Sequence, residues 1–177
     1  MYKLTKNGVI RLADNLFIPN TPANRHWQEY QEWLRQGNQP EPEFTFDDLK
    51  QQLRQKIHQI RKEKENSGIN VSTTQGTFIV DTSQIGRSNL QGTILTYEIG
   101  ILNKTSDSVP WKFENGFLDL TYDQLKEIAS FVTDYIEKLF LAEKQHYEAI
   151  EGLSTEEELQ KYDTNQYWPL NNYSASF

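Results

Sequence analysis

The sequence contains few side chains in an arrangement that covalent catalysis requires. There is no cysteine, and the three histidines are His26, His58 and His146. A serine nucleophile of the hydrolase type needs a sharp Gly-x-Ser-x-Gly turn and a neighbouring base, and that motif is absent. Each histidine falls in a segment with helical periodicity, where an ordinary structural role is the commoner one. We therefore predict no catalytic residue and expect a protein that is not an enzyme.

One acid–histidine pair has the spacing of a metal site. Glu143 and His146 lie three residues apart, so a helix would place both on one face, as in di-iron bundles. Those bundles need a second such pair, which the sequence does not contain. The glycines form neither Gly-x-Gly-x-x-Gly nor Gly-x-x-x-x-Gly-Lys, the loops that hold nucleotide phosphates. We therefore predict neither a metal ion nor a cofactor.

The charge balance disfavours a nucleic-acid partner. The chain carries 18 Lys and Arg residues against 25 Asp and Glu residues, a formal net charge of −7, and a phosphate backbone repels such an average. The basic stretch RQKIHQIRKEKE at 54–65 is diluted by Gln and Glu and predicts a solvated helix face. No run of eighteen apolar residues and no signal-peptide pattern is found, so we expect no membrane partner and no secretion.

Residues 1–43 predict a small β unit followed by a helix and a Pro-rich linker. The segments YKLT and VIRLA flank Asn7-Gly8, a dipeptide typical of tight hairpin turns with positive φ angles. The segment NLFIP adds a third short strand. A helix then begins near Pro22 and ends at Gly37. Its apolar stripe comprises Trp27, Tyr30, Trp33 and Leu34.

Residues 44–163 predict an α+β domain with the element order α-β-β-α-β-β-α. Capping boxes at Thr45 and Thr121 begin the first helix and a long helix that runs to about Glu151. The strands form hairpins that turn at Gln75-Gly76 and Asn115-Gly116. Strands that arrive as hairpins favour an α+β fold over alternating βαβ units.

The other two helices of this domain have weaker signals. Asp81 is predicted to cap a middle helix from about Thr82 to Leu102, although three glycines weaken it. Ser154 is predicted to cap a short final helix whose glutamates fall in the first turn, where the helix dipole favours them.

The last fourteen residues, TNQYWPLNNYSASF at 164–177, form a C-terminal arm without any charged side chain. Loose termini are usually polar, whereas large aromatic side chains dominate protein interfaces. We therefore predict that the arm binds a partner. The alternative is that the arm folds back and fills a groove beside the long helix. The predicted partner-binding residues are Tyr167, Trp168, Leu170, Tyr173 and Phe177.

Two segments resemble proteins of phage tails. Residues 17–42 combine Ile18-Pro19, Asn24, aromatic residues on a helix, and Gly-Asn-x-Pro-x-Pro at 37–42. This pattern resembles the N-terminal module of small tail proteins of tailed phages. From Leu49 to about Ile150 the chain resembles DUF4376, a domain found in phage tail and tail-fibre assembly proteins. This second resemblance rests on Ile57, Ile60, Arg61, Phe78, Asp81, Trp111, Asn115, Gly116, Leu120 and Thr121.

The resemblance implies a non-enzymatic bacteriophage protein that acts in tail-fibre assembly. It would bind a subunit of the tail fibre, the receptor-binding part, or another tail protein, as a chaperone in the host cytoplasm. A permanent adaptor in the virion tail, joining fibre to tail, is the alternative. A glycan hydrolase is a third and less favoured possibility, because two suitably separated carboxylates would suffice and nothing selects a pair among the 25 acidic residues. A homo-oligomer remains open.

Overall fold

The computed structural model describes all residues from 1 to 177 and confirms the predicted α+β fold. Two compact units divide after Gln51, inside the second helix. The predicted domain limits at residues 43 and 163 remain a prediction. The strands are β1 (Tyr2–Thr5), β2 (Gly8–Arg11), β3 (Leu16–Pro19), β4 (Ile69–Thr73), β5 (Gly76–Val80), β6 (Ser108–Phe113), β7 (Gly116–Thr121) and β8 (Asn172–Ser174), and the helices are α1 (Arg25–Arg35), α2 (Phe46–Asn66), α3 (Gln84–Glu98), α4 (Tyr122–Glu151) and α5 (Glu156–Lys161).

The first unit is an antiparallel three-stranded sheet with α1, as predicted. The sheet order is β1-β2-β3, and Val9 on β2 lies opposite Ile18 on β3. The helix begins later than Pro22, because the side chain of Asn24 accepts hydrogen bonds from the amides of His26 and Trp27 and so caps it. The buried core of this unit is Tyr2, Val9, Ile18 and Tyr30, with Trp27, Trp33 and Leu34 packed against it.

The prediction that Asn7-Gly8 supplies positive φ angles to its turn is wrong, and Asn115-Gly116 at the tip of the β6–β7 hairpin has none either. The turns are formed by residues 6–7 and 114–115, while Gly8 and Gly116 already belong to strands and neither has a positive φ. Gly8 is needed for a different reason. A Cβ at this position would lie 2.1 Å from the carbonyl oxygen of Ile18, so glycine allows β2 and β3 to pack closely.

The second unit is built around α4, the long helix that the sequence predicts. The side chains of Thr121 and Gln124 form the expected capping box, and Gly152 is the C-cap. The buried face of α4 has the three- and four-residue spacing of an amphipathic helix and packs against the sheets and α3. The buried face of α4 includes Leu125, Ile128, Val132, Tyr135 and Leu139.

None of the five helices is both long enough and apolar enough to cross a membrane.

Two predicted helix starts are displaced in the structure. The side chain of Ser83, instead of Asp81, caps α3 by accepting from the amide of Gly86, and the helix ends at Glu98. Asp81 accepts from the amide of Ser83 and so supports the cap from outside the helix. Thr155, instead of Ser154, caps α5 in a capping box with Glu158. Neighbouring polar residues compete for such positions, so sequence alone places a cap only within a residue or two.

Asn115 links the two hairpins of the second unit. Its side-chain amide donates to the carbonyl of Thr77 (3.0 Å) and its side-chain oxygen accepts from the amide of Ile79 (2.8 Å). The amide of Glu114 adds a bond to the carbonyl of Ile79 (3.0 Å). The asparagine of this turn therefore joins β5 to the β6–β7 hairpin.

We expect Asn115→Ala to lower the free energy of unfolding by about 1–2 kcal/mol, because two backbone groups of β5 lose their partner. Asn7 is the matched control, since it holds the same turn position in the first unit and its side chain makes no hydrogen bond. Urea unfolding of both variants measures the difference. Equal midpoints for Asn115→Ala and Asn7→Ala would contradict the bridging role.

Candidate partner-binding site at the C-terminal arm

The C-terminal arm lies on its own domain. Strand β8 pairs in parallel with β4, with Tyr173 opposite Val71. The amide of Ala175 donates to the carbonyl of Ser72 (2.8 Å), and the amide of Thr74 donates to the carbonyl of Phe177 (2.7 Å). The arm thus adds a third strand to the β4–β5 hairpin, in the order β5-β4-β8. This is the folded-back arrangement, which the sequence left as an alternative.

Tyr173 fixes the second half of the arm on α4. Its ring stacks on Phe131 with a centroid distance of 5.1 Å, and its hydroxyl donates to Asp134 (2.7 Å). Burial, and then the neighbouring carboxylate of Asp134, raise the pKa of the Tyr173 hydroxyl well above its ordinary value. Further along, the amide and hydroxyl of Ser176 both donate to Glu127 at 2.8 Å.

Trp168 fixes the first half of the arm. Its indole N–H donates to the carbonyl of Thr164 (2.9 Å), and its ring centroid lies 4.9 Å from that of His146. The preceding residue, Tyr167, has a φ of +68°, in the left-handed region that costs a residue other than glycine about 1–2 kcal/mol. With this conformation both adjacent aromatic rings contact His146, Tyr167 edge-on at 5.0 Å and Trp168 at 4.9 Å, while Tyr167 remains 47% exposed.

The five predicted partner-binding residues therefore fall into two groups. Trp168, Tyr173 and Phe177 are partly buried and pack against the core of the second unit. Leu170 is 83% exposed, and Tyr167 is about half exposed, with its ring edge against His146. In the structure the first group packs on the domain, and the second group remains accessible to another molecule. Leu170 lies between the anchored Trp168 and Tyr173 and is accessible to another protein.

His146 lies beneath the arm in full burial. Its Nδ1 atom lies 2.8 Å from the hydroxyl of Tyr162, and its ring contacts Tyr162, Tyr167 and Trp168 edge-on or tilted. Burial lowers the pKa of His146 below its ordinary value of 6.5, although the Gln166 carbonyl and the Asp163 carboxylate oppose this shift. No group meets hydrogen-bond geometry at Nε2, so the Gln166 carbonyl acts on the ring only as a nearby dipole.

Glu143, the other member of the predicted acid–histidine pair, contacts α2 instead of the C-terminal arm. It lies 2.7 Å from Nε of Arg61 and 2.9 Å from Nδ1 of His58, both on α2. Arg61 and Glu143 form an ion pair, since their opposite charges lie 2.7 Å apart. The N–H at Nε of Arg61 is not aligned for a hydrogen bond as well. No group of three or more histidine or acidic side chains could hold a metal ion. Glu143 and His146 thus occupy separate environments on α4.

Arg61 is the centre of an ion cluster that sequence reasoning missed. Besides Glu143, it pairs with Glu65 one turn along α2, and Glu65 also lies 2.7 Å from Arg87 on α3. The guanidinium of Arg61 stacks over the ring of Phe140 at 4.6 Å. Each carboxylate of the cluster meets a cation, and the cluster joins α2, α3 and α4.

The lowered pKa of His146 predicts a loss of stability in acid. The unfolded chain takes up the proton first, so the contribution of His146 is fully present above about pH 6.5 and falls as the pH drops towards the lower folded pKa. The slope is at most about 1.4 kcal/mol per pH unit. Unfolding free energies from pH 7.5 to 5 should fall more steeply for the wild type than for His146→Gln. Parallel curves would contradict this assignment.

We expect the effects on stability of substitutions at Arg61 and at Glu143 to be strongly coupled. Arg61→Leu should cost about 3 kcal/mol, because it leaves a nearly buried carboxylate without its cation. Adding Glu143→Leu to Arg61→Leu should restore part of that loss, and a double-mutant cycle measures the recovery. Lys144→Leu, which breaks an exposed pair with Glu148, is the control and should change little. Additive losses in the cycle would contradict the coupling.

The comparisons with known proteins place the greater part of the chain in one family. The sequence profile of DUF4376, a domain of unknown function, matches residues 48–165, about two thirds of the 177 residues. The match ends before β8, so the strand that docks the arm lies outside it. No curated protein and no solved structure shows significant similarity to the chain. The chain belongs to the DUF4376 family.

Proposed function

We propose that this protein is a non-enzymatic binding protein of a tailed bacteriophage, which acts as an assembly chaperone for a tail-fibre subunit in the host cytoplasm. Two features support the proposal. Residues 17–42 resemble the N-terminal module of phage tail proteins, and the DUF4376 domain at residues 48–165 resembles a domain of tail-fibre assembly proteins. The acidic net charge of −7 disfavours binding to nucleic acid during assembly.

The single observation that carries a binding role is the exposure of Tyr167 and Leu170 on an anchored backbone. Trp168 holds the chain between them through its contact with His146, and Tyr173 holds the chain after them. A segment fixed before binding loses little conformational entropy when its partner arrives. The left-handed φ of Tyr167 is the kind of local strain that persists at functional sites.

A permanent adaptor of the virion tail is the second candidate, and the same surface would serve it. The two roles differ in whether the protein remains after assembly. Mass spectrometry of purified virions separates them, because a chaperone is absent from mature particles and an adaptor is present in fixed stoichiometry. We propose the chaperone on the basis of the resemblance to assembly proteins.

The test uses two variants of the arm that add the same charge. Leu170→Asp places a carboxylate on the exposed apolar contact, and Asn165→Asp places one on a neighbouring exposed polar position. Both should leave stability within about 0.5 kcal/mol, because both side chains are on the surface. The probe is a tail-fibre subunit of the phage that encodes this protein, co-expressed with it and captured through a tag.

We expect Leu170→Asp to weaken binding of the fibre subunit at least tenfold and Asn165→Asp to leave it unchanged. Titration of the purified proteins measures both affinities. Equal binding by the wild type and Leu170→Asp would exclude the arm as the contact, and failure of the wild type to bind the subunit would overturn the proposed function. Deletion of residues 164–177 is unsuitable alone, because it also removes the strand paired with β4.

A further inference from the structure

His146 is the only fully buried histidine of this chain, and the segment that covers it is the end of the chain. Its side chain has no exposed surface, whereas the side chains of His58 and His26 are 46% and 42% exposed. Three aromatic rings contact the imidazole, and all three belong to residues 162–168. When this segment leaves the domain, the imidazole loses these contacts and gains access to water.

The hydrogen-bond partners of the docked arm suit a neutral imidazole. The Nδ1 atom of His146 has one partner, the hydroxyl of Tyr162 at 2.8 Å, and the buried Nε2 atom has none. A neutral ring carries one N–H and one lone pair, whereas a protonated ring carries two N–H groups and a positive charge. With the arm docked, one of those charged donors would be buried without an acceptor, which costs more than an unpaired neutral group.

The charges around His146 offset this cost only in part. Burial lowers the pKa of His146, although the carbonyl of Gln166 and the carboxylate of Asp163 act in the opposite direction. From α2, the ammonium group of Lys64 lies 5.8 Å from the centroid of the Trp168 ring, so a cation is already present at this aromatic cluster. The titratable groups that surround the cluster are Lys64 on α2, Tyr162, Asp163 and Tyr167 at the chain end, and Glu143 on α4 itself, which is paired with Arg61 and His58.

The second half of the arm is attached through a short strand and does not titrate with histidine. Strand β8 has three residues, and terminal segments of this kind open locally at a small free energy. The hydroxyl of Tyr173 donates to Asp134. Lys138, and then Tyr173, hold the pKa of Asp134 below its ordinary value, so this bond persists throughout the pH range in which a histidine titrates. The sensitivity of the arm to pH in that range therefore lies at His146.

We propose that His146 is a proton-sensitive anchor of the C-terminal arm, and that protonation of its ring favours release of residues 162–177 from the domain. Release separates β8 from β4, so the amide of Asn70 and the carbonyl of Ser72 lose their partners in the arm. An unpaired edge of this kind accepts another extended strand. The proposal concerns the folded chain alone and holds whichever partner the exposed residues of the arm bind.

The linkage between protonation and release sets an upper limit on the effect. Well above pH 6.5, the ordinary pKa of histidine, the ring is neutral in both forms and pH does not alter the docking equilibrium. Below that value the released form takes up the proton first. The equilibrium constant for release then rises by at most about tenfold for each pH unit, until the pH reaches the lower pKa of the docked form.

Amide hydrogen exchange of the full chain at pH 7.5 and pH 5.5 tests the proposal, with the rates corrected for the intrinsic pH dependence of exchange. The amide of Ala175, which donates to the carbonyl of Ser72, reports release of the arm, and amides in the middle of α4 report global unfolding. Two variants are compared with the wild type. His146→Gln keeps a polar side chain that cannot be protonated, and His58→Gln removes an exposed histidine of the same unit.

In the wild type and in His58→Gln, we expect the protection factor of Ala175 to fall about three- to tenfold from pH 7.5 to pH 5.5. At both pH values it should stay below the protection factors in α4, because release of the arm precedes global unfolding. In His146→Gln it should not depend on pH.

Two results for the wild type alone would overturn the proposal, so it remains testable if His146→Gln does not fold. A protection factor of Ala175 that is independent of pH would show that the arm opens without exposing His146. A protection factor equal to those in α4 at both pH values would show that the arm is released only by global unfolding. Neither result bears on the tail-fibre assignment.

Discussion

The pairing of β8 with β4 is the interaction on which the candidate site depends. Without it, β4 would present a row of unpaired amides and carbonyls at the edge of a two-stranded hairpin, and such edges invite association with other chains. The bonds from Asn70 to the Asn171 carbonyl (2.7 Å) and from Ala175 to Ser72 (2.8 Å) occupy that edge. They also hold the arm against α4, where Tyr173 meets Phe131 and Asp134.

Docking gives the side chains of the arm two different roles: some anchor the backbone on the domain, and others remain exposed. An unattached aromatic segment would have to be ordered when a partner binds, which costs about 1–2 kcal/mol for each residue fixed. Here Trp168 and Tyr173 already fix the backbone, and Tyr167 keeps 47% of its surface exposed although its ring edge lies against His146. Leu170, which follows Pro169, is left in the open. The arm is therefore a structural element with two exposed side chains, Tyr167 and Leu170, instead of a loose tail with five.

Local signals explain why much of the fold is predictable from the sequence. The capping box at Thr121 and the glycine at 152 define α4 to the residue, because both signals lie within one helical turn of the ends they set. The core face of α4 follows from helical spacing. The cap of α3 moves from Asp81 to Ser83, since two neighbouring polar side chains compete for the same amides and only the folded backbone selects between them.

The features that the sequence does not reveal all depend on partners distant along the chain. Strand β8 has three residues and pairs with β4 about a hundred residues earlier, so it has no periodic pattern of its own. Arg61 resembles a solvated basic residue until α4 brings Glu143 against it. Asn115 looks like a turn former, yet its side chain bridges to β5. The prediction that the arm binds a partner stays a prediction, and the sequence alone could not separate the anchored side chains of the arm from the exposed ones.

Amide hydrogen exchange of the isolated protein tests the docked arm most directly. The amide of Ala175 donates to the Ser72 carbonyl and that of Thr74 to the Phe177 carbonyl, so both report on the contact between the arm and β4. If the arm is docked in solution, both should exchange at least about a hundredfold more slowly than an unprotected amide, since opening then requires local unfolding. Exchange of the Ala175 amide at the rate of an unstructured peptide would show that the arm is free.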